Sequence, residues 1–123
     1  MFVVPCKWRE LLSPEAQERF DDVNEQRVLG ASSHIRIIGD IFLSIAENGA
    51  DDSLPLLRGI ADHFIATRGE SSQAITNAIG LMLRNVHGSS WAELAQSIRE
   101  GVERYRAEAA KDLEKIRSLL WTV

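Results

Sequence analysis

The sequence predicts an all-α fold of about five helices, mostly antiparallel, the last much the longest. Three observations predict it. Apolar residues recur at three- and four-residue steps through most of the chain. Glycine, serine and proline interrupt this pattern at intervals that suit helices and short connections. No segment sustains two-residue alternation, and the only strand-like stretch is "FVVP" near the start.

Residues 1–12 read as an extended N-terminal segment. "LLSPEAQERFDDV" then opens a helix, with Ser13 as N-cap, Pro14 in the first helical position and Glu15 near the positive end of the dipole. Its apolar positions are sparse (Ala16, Phe20, Val23), which predicts a surface helix with fraying ends. "RVLGAS" interrupts it. In "SSHIRIIGDIFLSIAENG", Ile35, Ile38, Phe42 and Ile45 form a stripe that Ile37 and Ile41 widen. Gly39 in mid-helix predicts a close helix–helix approach, and Asn48-Gly49 a C-terminal stop.

"DDSLPLLRGIADHFIATRG" begins with Asp and Ser caps and buries Leu56, Leu57, Ile60, Phe64 and Ile65, ending at Gly69. "SSQAITNAIGLMLRNVHG" places Ile75, Ala78, Ile79, Met82 and Val86 in helical register, with Gly88 as terminator. The last helix opens with a capping box, Ser90 to Glu93. Its stripe runs from Trp91 through Leu94, Ile98, Val102, Tyr105 and Ala109 to Leu113, Ile116 and Leu120. The opposite face carries alternating charges, with Glu103 and Arg106 expected as an intrahelical pair.

A chain of 123 residues is one domain with room for a single core. Hydrophobic residues at 45% and charged residues at 26% fit a globular protein, and a net charge of −4 argues against direct nucleic-acid binding. The single cysteine, Cys6, excludes an internal disulfide and has no histidine near it in sequence. No apolar run approaches the ~20 residues that cross a bilayer, and no signal peptide is legible. A soluble, cytoplasmic chain without membrane contact is the expectation.

His34, His63 and His87 are scattered, with no spacing that suits a metal, and Asp62-His63 cannot face one way on a helix. No phosphate-binding loop, dinucleotide fingerprint or nucleophile elbow is present. No catalytic residue, metal or cofactor is therefore expected. The remaining candidate is anion binding at helix starts. "LGASS" and "RGESS" each place a glycine before serines at a helix opening, where unpaired N–H groups point outward. Arg68 adds a planar, five-donor cation. On spacing alone the favoured reading is that both stretches are plain Gly-Ser caps, with Arg68 neutralising Glu70 or a helix C-terminus.

"VLGASSHI…IGDIFLSIAENG", followed about thirty-five residues later by "TRGESSQAITNAIGLMLRNV" (two capped helices in between), resembles the N-terminal helical domain of the translation initiation factor 2B alpha/beta/delta family. That family includes methylthioribose-1-phosphate and ribose-1,5-bisphosphate isomerases. The resemblance spans Val23 onward. It implies a phosphate-facing wall formed by Gly30, Ala31, Ser32, Arg68, Gly69, Ser71 and Ser72, with Asn77-Ala78 on the supporting helix. Leu29 stands where the isomerases carry an arginine, and Gly69 where they carry proline. The family's catalytic cysteine and aspartate lie on a Rossmann-like C-terminal domain that this sequence does not contain, and Cys6 does not match that cysteine.

The resemblance thus implies a helical cap or regulatory domain, 1–123, forming the N-terminal part of a larger two-domain protein or complex. Its partners would be a Rossmann-like domain or partner subunit and a phosphorylated sugar or nucleotide. Any chemistry would be aldose–ketose isomerisation completed elsewhere. The long final stripe leads to an expected homo-oligomer. The alternative is a non-catalytic scaffolding module that binds a protein through its apolar helix faces.

Overall fold

Ser13 and Pro14 open the first helix as their chemistry requires: Ser13 Oγ accepts the Ala16 N–H at 3.3 Å, and Pro14 occupies a position whose N–H has no intrahelical partner. The structure, a computed structural model, describes residues 7–48, 53–69, 72–87 and 90–121, with side chains on the last helix as far as Lys111. Five helices follow in order: α1 Pro14–Asn24, α2 Ala31–Asn48, α3 Ser53–Phe64, α4 Gln73–Leu83 and α5 Trp91–Trp121. No strand occurs among the described residues. The fold is all-α, with a long last helix. Cys6, Gly49, Asp51, Asp52, Glu70, Ser71 and Gly88, on which several expected caps and stops fall, lie outside the described residues.

Residues 1–12 are not extended throughout. Arg9–Leu11 form a 3-10 turn, and Arg9 donates a two-pronged hydrogen bond to Asp21, both distances 2.7 Å. That hydrogen bonding holds the Asp21 carboxyl below the usual carboxylate range, against the opposing effect of its partial burial. Trp8 lies against Gly59 of α3, where an added Cβ would stand 2.2 Å from the indole nitrogen. The N-terminal turn is thereby fastened to both α1 and α3.

The first helix is not a peripheral one. Ala16, Phe20 and Val23 are all at most 1% exposed. Three apolar residues suffice because they fall on one narrow stripe and meet large partners: Phe20 packs on Phe64 with ring centroids 5.1 Å apart. The helix ends in a Schellman motif, with Arg27 N–H on Asp22 O at 2.9 Å and Gln26 N–H on Val23 O at 3.2 Å. Gln26 takes the left-handed position, φ 55°.

The core lies between α2 and the other helices. Ile38, Ile41 and Phe42 of α2 are fully buried, as are Ile60 and Phe64 of α3 and Ile98 and Val102 of α5. Burying each such side chain contributes ~1.5–3 kcal/mol before chain entropy is counted. α2 and α5 run antiparallel: Gly39 faces Val102, while Arg106 donates to Arg36 O at 3.0 Å and to Asp40 at 2.9 Å. Gly39 does make room for a close neighbour, as its mid-helix position suggests. Arg106 is accordingly a cross-helix tie rather than the partner of Glu103.

A closer approach occurs at Gly101, where a Cβ would stand 2.0 Å from the Met82 carbonyl oxygen, so α4 and α5 cross nearly backbone to backbone. The α4–α5 connection is secured by buried Ser97, whose Oγ accepts from His87 N–H at 3.2 Å. α5 itself starts with Ser90 Oγ accepting the Glu93 N–H at 3.4 Å.

Candidate functional site

The two helix openings singled out by sequence are built differently. At α2, Gly30 has φ 98° with no atom within 4 Å of an added Cβ, so it turns the chain in open space. The His34 N–H bonds Gly30 O at 3.0 Å, starting the helix. His34, only 6% exposed, also donates its ring Nε2–H to the Val28 carbonyl. It is a buried strut at the opening of the helix.

At α4 the preceding chain widens into a π-helical turn, Ile65–Gly69. Thr67 Oγ1 donates back to His63 O at 2.8 Å. The turn swings Arg68 toward α1, where Nη2 donates to Asn24 O at 3.2 Å. Asn24 is the last residue of α1 and 5% exposed. Its side-chain Oδ1 meets His63 Nε2 at 2.8 Å. Asn24, His63 and Arg68 thus form one polar joint, roofed by the Phe20 ring 5.1 Å from the imidazole.

Electrostatics at this joint disfavour a charged imidazole. Burial first, and the Arg68 guanidinium second, hold the His63 pKa below the ordinary histidine value. His63 is therefore a neutral donor to Asn24 at neutral pH. Neighbouring Asp62 is exposed and plays no part in it.

Six of the seven candidate residues have a definite place. Ala31 is the first residue of α2 and half-buried, while Ser32 is exposed. Arg68 points into the bundle, onto a helix C-terminal carbonyl. Gly69 closes the π turn, and Ser71 lies outside the described residues. Ser72 is the N-cap of α4, yet its side chain makes no capping bond; the backbone does the work, with Ser72 N–H on Arg68 O and Ile75 N–H on Ser72 O, both 3.1 Å. The bond to Asn24 O ties the Arg68 turn to the α1–α2 connection that leads to Gly30.

Asn77 is exposed and accepts from Gln73 at 3.2 Å, while Ala78 is buried behind it.

Sequence reasoning missed a second feature. A cleft of about 490 Å³ opens between α2, α4 and α5, with Arg36, Met82 and Tyr105 in its wall. Its signal was the long-range pairing of Asp40 with Arg106, which adjacent Glu103 masks in the sequence. Among the described residues there is no group of three or more metal-ligating side chains and no helix long and apolar enough to cross a membrane. No family model, curated relative or solved structure matches the chain.

Proposed function

We propose that this chain is a helical assembly and capping module, related to the N-terminal domain of initiation-factor-2B-like proteins, which performs no chemistry by itself. The observation that carries the proposal is the course of α5. Val102 is fully buried and Tyr105 and Arg106 are half-buried, but Ala107–Lys111 are all exposed while the helix continues to Trp121. The stretch after Arg106 is about 22 Å long at 1.5 Å per residue. Its sequence keeps the apolar spacing Leu113, Ile116 and Leu120. A helix with that spacing requires an apolar neighbour, and the reading is that a second copy of the chain supplies it.

The ligand-facing role belongs to the end of the bundle that holds Gly30. The first N–H groups of α2 after Gly30 would face a phosphorylated sugar or nucleotide, and the wall would be completed by a partner subunit or a Rossmann-like domain. Arg68 serves that wall by fixing the α1–α2 connection through Asn24 O, rather than by gripping the phosphate.

Sedimentation equilibrium of the whole chain tests the assembly reading. The expected result is a self-associating species that Leu113→Glu with Ile116→Glu converts to monomer without loss of helical content. A wild-type chain that stays monomeric at hundreds of micromolar contradicts it. Titration with ribose 5-phosphate tests the capping role: amide shifts should centre on Gly30, Ala31 and Ser32, and shifts spread evenly over the surface would remove it.

A further inference from the structure

The cleft between α2, α4 and α5 adjoins both surfaces just described, since Ser32 and Ala109 stand at its edge, but its charged and aromatic residues serve neither role. Its floor is apolar, from Ile35, Met82 and Tyr105. Its rim is cationic. Asp40 is the one carboxylate, and it already receives Arg106 at 2.9 Å and Arg19 at 3.9 Å. Arg36, one turn earlier on α2, is exposed and makes no ion pair among the described residues. The cleft lining therefore holds two guanidinium groups, Arg36 and Arg106, against one carboxylate, in a chain whose net charge is −4. This local excess of positive charge beside an apolar floor asks for an anion with a hydrocarbon body.

We propose that this cleft binds a small organic acid, its carboxylate on Arg36 and its apolar body against Tyr105 and Ile35. A guanidinium presents two parallel donors that match the two carboxylate oxygens. Arg106 is held in place by Asp40 and by Arg36 O, so it adds positive potential at a fixed position. The volume, about 490 Å³, falls within the range of small-molecule sites. A small molecule fits better than a docked peptide helix. Such a helix seats a row of anchors in an apolar trough, and here a charged pair interrupts three apolar side chains.

The test is an NMR titration of the whole chain with 4-phenylbutyrate, alongside 4-phenylbutanol and inorganic phosphate. Phenylbutyrate should shift the amides of Arg36, Asp40 and Tyr105, and bind at least about tenfold more tightly than either control, as one charge-assisted contact implies. Arg36→Gln should weaken it by a similar factor and leave thermal unfolding unchanged. Equal binding of the alcohol would reduce the site to an apolar surface and overturn the proposal. So would an unchanged affinity in Arg36→Gln, or no binding of phenylbutyrate. An acidic amphipathic peptide that shifts these amides where phenylbutyrate does not would replace the small acid with a protein partner. A phosphate response confined to Gly30 and Ala31 bears only on the capping role, so the two readings fail separately.

Discussion

At the opening of α2, a left-handed Gly30 turns the chain in solvent and a buried His34 ties it back to Val28. At the opening of α4, the chain widens into a π turn and Arg68 reaches across to the end of α1. Both stretches read glycine-then-serine, yet one is a backbone hinge and the other a side-chain strut. The difference is the residue before the glycine. Leu29 is 72% exposed and makes no polar link, so that opening relies on backbone freedom. Arg68 carries a long stem and a planar donor, so its opening is anchored at a distance. Similar strings therefore imply different vulnerabilities.

Asn24 joins the two openings, and its replacement should have the largest effect. Asn24→Leu leaves the half-buried His63 nitrogen without its acceptor, and should cost about 1–3 kcal/mol in urea unfolding. A loss below about 0.5 kcal/mol, the range of ordinary surface changes, would dissolve the joint. Next comes Gly30→Ala. Its Cβ meets nothing, so the cost is purely conformational, ~1–2 kcal/mol for an L-residue at positive φ. If the variant is as stable as wild type, the hinge does not hold that φ in solution.

Gln26 offers a smaller change of opposite sign. It sits in the left-handed position of the α1 Schellman motif, where glycine carries no Cβ penalty. Gln26→Gly should therefore raise stability by ~1 kcal/mol, read as a higher urea midpoint at constant slope. The smallest effect is a pH slope. His63 has a lowered pKa in the folded state, so the unfolded chain binds the proton more readily. Its contribution is fully present above the ordinary histidine value of about 6.5 and is lost as pH falls below it. Comparing unfolding at pH 7.5 and pH 5.5 should show a loss that His63→Gln reduces. An identical slope in the variant would locate the titration elsewhere.

The helices were legible in the sequence because their signals are local: period, cap and stop. Ile38, Phe42, Ile60 and Val102 are core residues both by register and by burial. The site was less legible, because its bonds join residues far apart. Nothing near Asn24 announces that His63 and Arg68 will converge on it, and a glutamine is not the residue from which a left-handed helix end is expected. The weight of α1 was likewise hidden, since three apolar residues look thin until Phe20 meets Phe64. Asp40 and Arg106, separated by 66 positions, show the same effect at the cleft.

The inward course of Arg68 is the claim on which the contrast between the openings turns. Arg68→Met keeps the stem and removes the donors, so equilibrium unfolding with and without phosphate tests it most directly. The account predicts a loss of about 1–3 kcal/mol, the range for a hydrogen bond from a charged group, and a phosphate increment almost equal to that of wild type. Unchanged stability together with a vanished phosphate increment would mean that Arg68 faces the ligand, and would contradict the account.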